Sequence, residues 1–156
     1  CLARLVELKG VDVAIEAARG ARYALVIAGE GPQRAALEAA ARRLGVGARF
    51  VGLVSGRAKE HLLAAADLLV APSRRDAAPV TLLEALDAGV PVVASDVGDN
   101  RALLGAEAVV PAGDSAALAR AIAAQLASTP DAAALRARAA PYRWAGVARR
   151  IRALLG

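Results

Sequence analysis

Short apolar runs alternate along the chain with longer stretches in which apolar residues recur every three or four positions. The runs predict six strands: Leu2–Val6, Tyr23–Ala28, Arg49–Val51, Leu68–Ala71, Val92–Ser95 and Ala108–Val110. Strands that alternate with helices form right-handed βαβ units. The pattern therefore predicts an α/β fold with one parallel sheet that is covered by helices on both faces.

Between these runs, apolar residues recur with the spacing of an α-helix. Three of the predicted helices end at Gly20, Gly45 and Gly89. The predicted helices cover 11–20, 32–45, 57–65, 81–88, 101–104, 114–126 and 131–139, with a last amphipathic helix carrying Trp144, Val147, Ala148, Ile151 and Leu155. We find no internal repeat and no linker, so we expect a single domain over residues 1–156.

Composition narrows the class of protein. The 156 residues are 57% hydrophobic and 3% aromatic, which is enough for an aliphatic core. No apolar run approaches the roughly 20 residues that span a bilayer, and no signal peptide is recognisable. The single cysteine excludes an internal disulfide and is typical of a reducing compartment, so we expect a cytoplasmic protein. The chain begins with Cys1 rather than methionine, and we expect it to be a piece of a longer protein.

The net charge of +5 comes mainly from arginine. Either an anionic partner or an arginine-rich composition with solvated helix faces explains it. Nucleic acid is disfavoured as a partner, because the basic residues are spread along the chain and aromatic stacking partners are scarce.

Candidate functional residues follow the predicted strands, where α/β sheets bind their ligands. Arg4 and Lys9 flank a strand-to-helix turn and could neutralise a diphosphate, or be two ordinary surface cations. Glu84 lies about one turn into the 81–88 helix, where it could accept hydrogen bonds from a ribose diol or simply face solvent. Asp76 precedes that helix and could bind sugar hydroxyls or cap the loop.

Several other site types are disfavoured. The run from Gly29 to Arg34 begins like a dinucleotide fingerprint, but Arg34 stands where the third glycine belongs. The sequence has no P-loop and no nucleophile elbow. His61 falls among leucines and alanines, and we interpret it as structural.

Taken in order, these segments resemble the C-terminal, donor-binding domain of a family 4 retaining glycosyltransferase of the GT-B fold (glycosyl transferases group 1). The resemblance covers nearly the whole chain. The matching segments are Arg4–Gly10, Ala28–Pro32, Ala66-Asp67, Pro72-Ser73, Leu83–Ala85, Gly89–Ser95, Pro111–Asp114, Ala117–Ala119 and Trp144.

The resemblance implies a Rossmann-like parallel sheet that forms one half of a GT-B fold. It also implies that the acceptor domain precedes this chain, and that the substrate is a UDP- or GDP-type nucleotide sugar with no metal or other cofactor required. A lipid-linked acceptor would bring peripheral contact with the inner face of the membrane.

The resemblance further assigns roles to particular residues. Arg4 and Lys9 would be catalytic, binding the donor pyrophosphate and stabilising the departing nucleotide. The donor sugar would be bound by Asp76, Ala77, Ala78 and Pro79. The nucleotide would be bound by Gly29, Leu53, Val54, Val80, Thr81 and Glu84.

The chain departs from the family pattern at the sugar loop. Asp76 replaces a glutamate, Ala77 and Pro79 replace two glycines, and Asp99 stands where a further glycine is usual. Two alternatives therefore stay open: a non-catalytic nucleotide-sugar-binding or assembly module with a degenerate pocket, and a GT-B-fold epimerase. The Arg4 and Lys9 pair and the spacing of Asp76 and Glu84 argue against the epimerase.

Overall fold

The fold is a set of short parallel strands joined by helices. The computed structural model describes residues 1–76, 80–143 and 152. The predicted sugar-loop residues Ala77, Ala78 and Pro79 and the terminal helix around Trp144 lie outside these residues. The strands are β1 (Leu25–Ala28), β2 (Ala48–Gly52), β3 (Leu69–Ala71), β4 (Val92–Ser95) and β5 (Val109–Val110).

Within the described residues, seven α-helices connect or follow these strands, and short 3₁₀ turns cover Glu7–Lys9, Ala106–Ala108 and Ala140–Tyr142. The α-helices are α1 (Val11–Ala17), α2 (Arg34–Arg43), α3 (Gly56–Ala64), α4 (Val80–Ala88), α5 (Asn100–Leu104), α6 (Ser115–Leu126) and α7 (Ala132–Ala139). The N-cap of α6 is Asp114, whose carboxylate accepts a hydrogen bond from the Ala117 amide at 2.8 Å. Each of these α-helices was predicted within a few residues of its observed bounds.

The strands form two hydrogen-bonded groups in place of the single predicted sheet. Strand β1 pairs with β2, and β3, β4 and β5 pair in that order, every pair parallel. Apolar residues of α1 pack against both groups, with Ile15 beside Ile27 in one cluster and Val13 beside Val93 in another. The doubly covered parallel architecture was therefore predicted correctly, although its hydrogen bonding is divided.

The predicted first strand, Leu2–Val6, is wrong as a strand. This segment runs beside β1 and forms one isolated bridge, between Leu2 and Ala28. The Val6 amide donates to the carbonyl of Arg4 at 3.0 Å, so the backbone turns at Leu5 and leaves the ladder. A 3₁₀ turn at Glu7–Lys9 then leads into α1.

Both faces of the sheet formed by β3, β4 and β5 are buried, and this explains why the sequence of each strand is a continuous apolar run. Leu69, Val92 and Val109 face a cluster that includes residues of α3, α4, α5 and α7. Their neighbours Val70, Val93 and Val110 face α1 and α6 on the other side. Because successive side chains of a strand point to opposite faces, burial on both faces requires apolar residues at every position.

No helix in the described part of the chain is long and apolar enough to cross a bilayer.

Candidate functional site

A cavity of about 280 Å³ lies beside the carboxyl ends of β1, β2 and β3. Its volume is near the lower end of ligand pockets, which span roughly 300–1,000 Å³. Seven of the predicted site residues line it: Arg4, Lys9, Gly29, Leu53, Val54, Asp76 and Thr81. The parallel topology explains this convergence, because the loops that leave parallel strands meet at one edge of the sheet.

Arg4 is carried to the cavity by the segment that runs beside β1. The Ala3 amide donates to the Ala28 carbonyl at 3.0 Å, and the Leu5 amide donates to the Glu30 carbonyl at 2.9 Å. Leu5 is completely buried in the core, whereas Arg4 next to it is exposed. The guanidinium is thus held at the rim of the cavity on an anchored backbone.

Gly29 allows this close approach. Its φ is +146°, and a Cβ at this position would lie 1.8 Å from the Ala3 carbonyl oxygen. Any side chain there would push the segment that carries Arg4 away from β1. Because Gly29 has no side chain, the segment that carries Arg4 can lie against β1 and form part of the cavity wall.

Lys9 reaches the cavity through a tight turn. The 3₁₀ turn that contains Lys9 ends at Gly10, whose φ is +59° and whose hypothetical Cβ would lie 2.0 Å from the Pro72 carbonyl oxygen. The Arg74 amide also donates to the Leu8 carbonyl at 2.8 Å. The turn before α1 and the loop after β3 are therefore packed backbone to backbone.

This packing brings Lys9 and Asp76 into direct contact. Lys9 Nζ donates to Asp76 Oδ2 at 2.7 Å, and the buried Ser73 hydroxyl donates to the same oxygen at 3.2 Å. The side chains of Lys9 and Asp76 are 29% and 21% exposed, so the pair is only partly screened by water. The predicted diphosphate cation and the predicted sugar carboxylate are partners in this structure.

A second ion pair fixes the same loop to α1. Arg74 forms a fork with Asp12, with Nη1 to Oδ1 at 2.7 Å and Nη2 to Oδ2 at 2.6 Å, and Nη1 also donates to the Glu7 carbonyl. The hydrogen bond from Arg74 is the main reason why the pKa of Asp12 is lowered from its ordinary value of 3.8. The fork holds the Asp76 loop in place from outside the cavity.

The opposite wall is formed by the loop after β2 and the start of α4. Leu53 is 78% exposed, Val54 is half-buried, and Thr81 lies in the first turn of α4. Val80 is 58% exposed and is not among the residues that line the cavity. This wall is mostly apolar, in contrast to the charged wall formed by Arg4, Lys9 and Asp76.

Glu84 does not line the cavity. It lies three residues beyond Thr81 on α4, and its Oε1 accepts a hydrogen bond from Lys59 Nζ of α3 at 2.5 Å. The two side chains are 27% and 33% exposed, with Lys59 the more buried. The sequence predicted no role for Lys59, nor for Glu30 and the buried Ser73, both of which line the cavity. His61, also on α3, is exposed and lines neither cavity described here.

The cavity is suited to an anion. The cations Arg4 and Lys9 lie on one wall, where Lys9 is paired with Asp76 and Glu30 also lines the cavity. The first turn of α4, where backbone N–H groups and the helix dipole favour negative charge, lies on the other. Within the described ranges, no three His, Cys, Asp or Glu side chains gather as a metal site would require.

A second cavity, of about 410 Å³, lies between the amino-terminal parts of β1 and β3. Apolar residues such as Leu25, Leu63 and Ile122 line most of it, and none of the predicted site residues contributes. It is larger than the first, but no lysine or arginine is among its lining residues, so we regard the first cavity as the candidate site.

Comparison with known proteins agrees with the fold. The sequence profile of the family described as "Glycosyl transferases group 1" matches residues 1–141. A solved structure, Alr3699/HepE of Anabaena in complex with UDP and glucose, superposes with a TM-score of 0.84 at 24% identity, covering 99% of this chain and 46% of that one.

Two named glycosyltransferases match most of this sequence. The phosphatidyl-myo-inositol mannosyltransferase of Mycobacterium leprae is 38% identical over 127 residues, which cover 76% of this chain and 34% of that protein. The 2-deoxystreptamine N-acetyl-D-glucosaminyltransferase of Streptomyces fradiae is 38% identical over 109 residues, covering 67% of this chain and 25% of that enzyme. The chain thus spans about a quarter to a third of the length of these relatives.

Proposed function

The chain belongs to the glycosyl transferases group 1 family, and on that premise we propose that it binds the nucleotide-diphosphate sugar donor of a retaining glycosyltransferase. The observation that carries the proposal is the placement of Arg4 and Lys9 on one wall of a cavity whose other wall includes the first turn of α4. This arrangement offers fixed positive charge to a diphosphate.

The chemistry needs little more from this domain than positioning and charge. In sugar transfer, the bond between the anomeric carbon and the diphosphate oxygen breaks, and a new bond forms to the oxygen of an acceptor hydroxyl on the same face. The proton of that hydroxyl passes to a phosphate oxygen of the leaving group and from there to water. The nucleoside diphosphate departs with additional negative charge, which Arg4 and Lys9 would stabilise. Because side-chain cations supply this charge, the proposal includes no metal ion or other cofactor.

The remaining assignments follow the walls of the cavity. The backbone of Leu53 and Val54 would meet the base, and the backbone of Gly29 would contact the nucleotide. Thr81 lies where the α4 terminus meets the cavity, and Val80 precedes it. Glu84 would bind the ribose, and the segment from Asp76 to Pro79 would contact the sugar. The structural relative with UDP and glucose bound supports a nucleotide in a fold of this kind.

The acceptor would be bound elsewhere. Since the chain spans only part of its relatives, we propose that an acceptor domain precedes it in the complete protein, and that residues 1–156 alone bind nucleotide without transferring sugar. One relative is named a phosphatidyl-myo-inositol mannosyltransferase, and on this ground we propose a glycan or lipid-linked acceptor.

We place the protein in the cytoplasm. A lipid-linked acceptor would bring it to the inner face of the membrane as a peripheral partner.

The Lys9–Asp76 contact favours one alternative, a non-catalytic nucleotide-sugar-binding or assembly module. Aspartate is shorter than glutamate by one methylene, and in this structure its carboxylate meets the cation that would bind diphosphate. Sugar transfer by the complete protein would exclude this alternative.

Isothermal titration calorimetry of the 156-residue chain with UDP and GDP tests the proposal. We expect weak binding of at least one nucleotide, unchanged by EDTA. Losing one charge-assisted contact, worth about 1.5–3 kcal/mol, should weaken it tenfold or more in Arg4→Ala. Arg19→Ala, an exposed cation outside the cavity, is the matched control. Absence of binding to any nucleoside diphosphate would refute the proposal.

A further inference from the structure

The Lys59–Glu84 ion pair joins α3 and α4, the two helices that border the mostly apolar wall of the candidate site. Lys59 belongs to α3, which begins just after the Leu53–Val54 loop, and Glu84 belongs to α4. Residues three apart on a helix are surface neighbours, so Glu84 lies one turn beyond Thr81, which lines the cavity. The pair therefore lies immediately behind the rim at which base and ribose would meet.

The contact occupies only part of the Glu84 carboxylate. Lys59 Nζ bonds to Oε1, and an ionised carboxylate has about four acceptor positions on two oxygens. Oε2 retains its capacity to accept hydrogen bonds from a diol.

We propose that Lys59 is a positioning residue for the nucleotide ribose, acting through Glu84. This inference rests on the proposed function, in which Glu84 binds the ribose. A glutamate on a helix surface has three rotatable bonds to order before it can bind a diol. The ion pair with Lys59 orders this side chain before the ligand arrives, so that less conformational entropy is lost on binding.

The test compares ribose-containing and ribose-modified ligands on the 156-residue chain. Calorimetry uses whichever of UDP and GDP binds the unmodified chain more tightly, together with its 2′,3′-dideoxy counterpart. Ordering one side chain corresponds to a factor of about three to ten in affinity. Lys59→Met should weaken binding of the ribonucleotide by that factor and change binding of the dideoxynucleotide less than about twofold.

Three further variants separate positioning from a general effect of charge or folding. Lys59→Arg should retain most of the affinity, because arginine can also donate to the carboxylate. Arg57→Met removes a positive charge from an exposed position of the same helix and should change neither ligand. Glu84→Gln should abolish the preference for ribose, and adding Lys59→Met to it should cause no further loss.

The outcomes distinguish this inference from the proposed function. If the unmodified chain binds neither nucleotide, both are wrong. If it prefers the ribonucleotide and Lys59→Met keeps that preference, only the role of Lys59 is wrong. Tighter ribonucleotide binding by Lys59→Met would show that Lys59 competes with ribose for the carboxylate, and would also overturn the inference. Thermal melting of each variant confirms that it is folded.

Discussion

Lys9 Nζ lies 2.7 Å from Asp76 Oδ2, although 67 residues separate the two along the chain. In the proposed complex Lys9 binds diphosphate, so the phosphate oxygens and the Asp76 carboxylate are competitors for one ammonium group. The Asp76 carboxylate partly neutralises Lys9 in this structure.

The first prediction follows from this competition. Asp76→Asn removes the carboxylate charge at nearly constant shape, and partly exposed ion pairs of this kind are worth about 0.2–1 kcal/mol. We therefore expect nucleoside diphosphate without sugar to bind up to about fivefold more tightly, as measured by calorimetry. In the complete enzyme, the same variant should reduce sugar transfer, because Asp76 is assigned to the donor sugar.

Asp67→Asn is the matched control, because Asp67 is an exposed carboxylate outside the candidate site. Weaker diphosphate binding by Asp76→Asn, with Asp67→Asn unchanged, would mean that Asp76 supports the ligand rather than competing with it.

The second prediction concerns the turn that places Lys9. Gly10 and Gly45 have similar φ values, +59° and +66°, but a Cβ at Gly10 would meet the Pro72 carbonyl oxygen at 2.0 Å, whereas nothing lies within 4 Å at Gly45. Gly45→Ala should cost about 1–2 kcal/mol of unfolding free energy, the usual penalty for a side chain in this left-handed region. Gly10→Ala should cost at least about 1 kcal/mol more, because the overlap forces backbone atoms apart.

Urea unfolding of the two variants measures this difference directly. Equal losses for Gly10→Ala and Gly45→Ala would show that the close contact with Pro72 contributes nothing. The Gly10 variant should also bind nucleoside diphosphate more weakly, since the displaced turn carries Lys9.

The third prediction is a pH dependence of stability that involves Asp12. The pKa of Asp12 is lower in the folded chain than its ordinary value of 3.8, chiefly through the hydrogen bond from Arg74. A group of this kind stabilises the folded state above its unfolded pKa, and the contribution disappears as the pH falls through the folded pKa. Asp12→Asn should therefore be less stable than the unmodified chain at pH 6, with the difference shrinking below about pH 4.

Urea unfolding of Asp12→Asn and of Glu16→Gln, an exposed acid on the same helix, provides the comparison. A constant gap between Asp12→Asn and the unmodified chain from pH 6 to pH 2.5 would contradict this account, because an uncharged contact would then be responsible.

Much of the fold was predictable because the residues that are apolar in the sequence pattern are also the residues that are buried in the structure. Val92 and Val93 face two different helical layers, so the sequence there must be apolar at every position, and a continuous run is what it shows. The end of the first segment was not predictable in this way. Leu5 is apolar and buried like a strand residue, but the backbone turns there through a hydrogen bond between Val6 and Arg4 that has no side-chain signature.

The sequence predicted which strand ends carry the candidate site, but it did not predict the side-chain contacts within the site. Topology brings Arg4, Lys9 and Asp76 to one edge, and their spacing together with the family resemblance identified them. The Lys9–Asp76 and Lys59–Glu84 contacts join residues 67 and 25 positions apart. Such contacts depend on the packing of whole helices, and Lys59 has no motif around it. The sequence indicates that Gly10 ends a turn. It does not indicate that a Cβ at this position would overlap the Pro72 carbonyl oxygen.

The central claim is that a nucleoside diphosphate binds at the carboxyl ends of β1, β2 and β3. Its most direct test is an NMR titration of the ¹⁵N-labelled chain with UDP and with GDP. We predict saturable shifts for the amides of Gly29, Leu53, Val54 and Thr81 with at least one nucleotide, and little change at Leu25 and Leu63 beside the second cavity. Shifts confined to the second cavity, or no saturable shift with either nucleotide, would contradict the account.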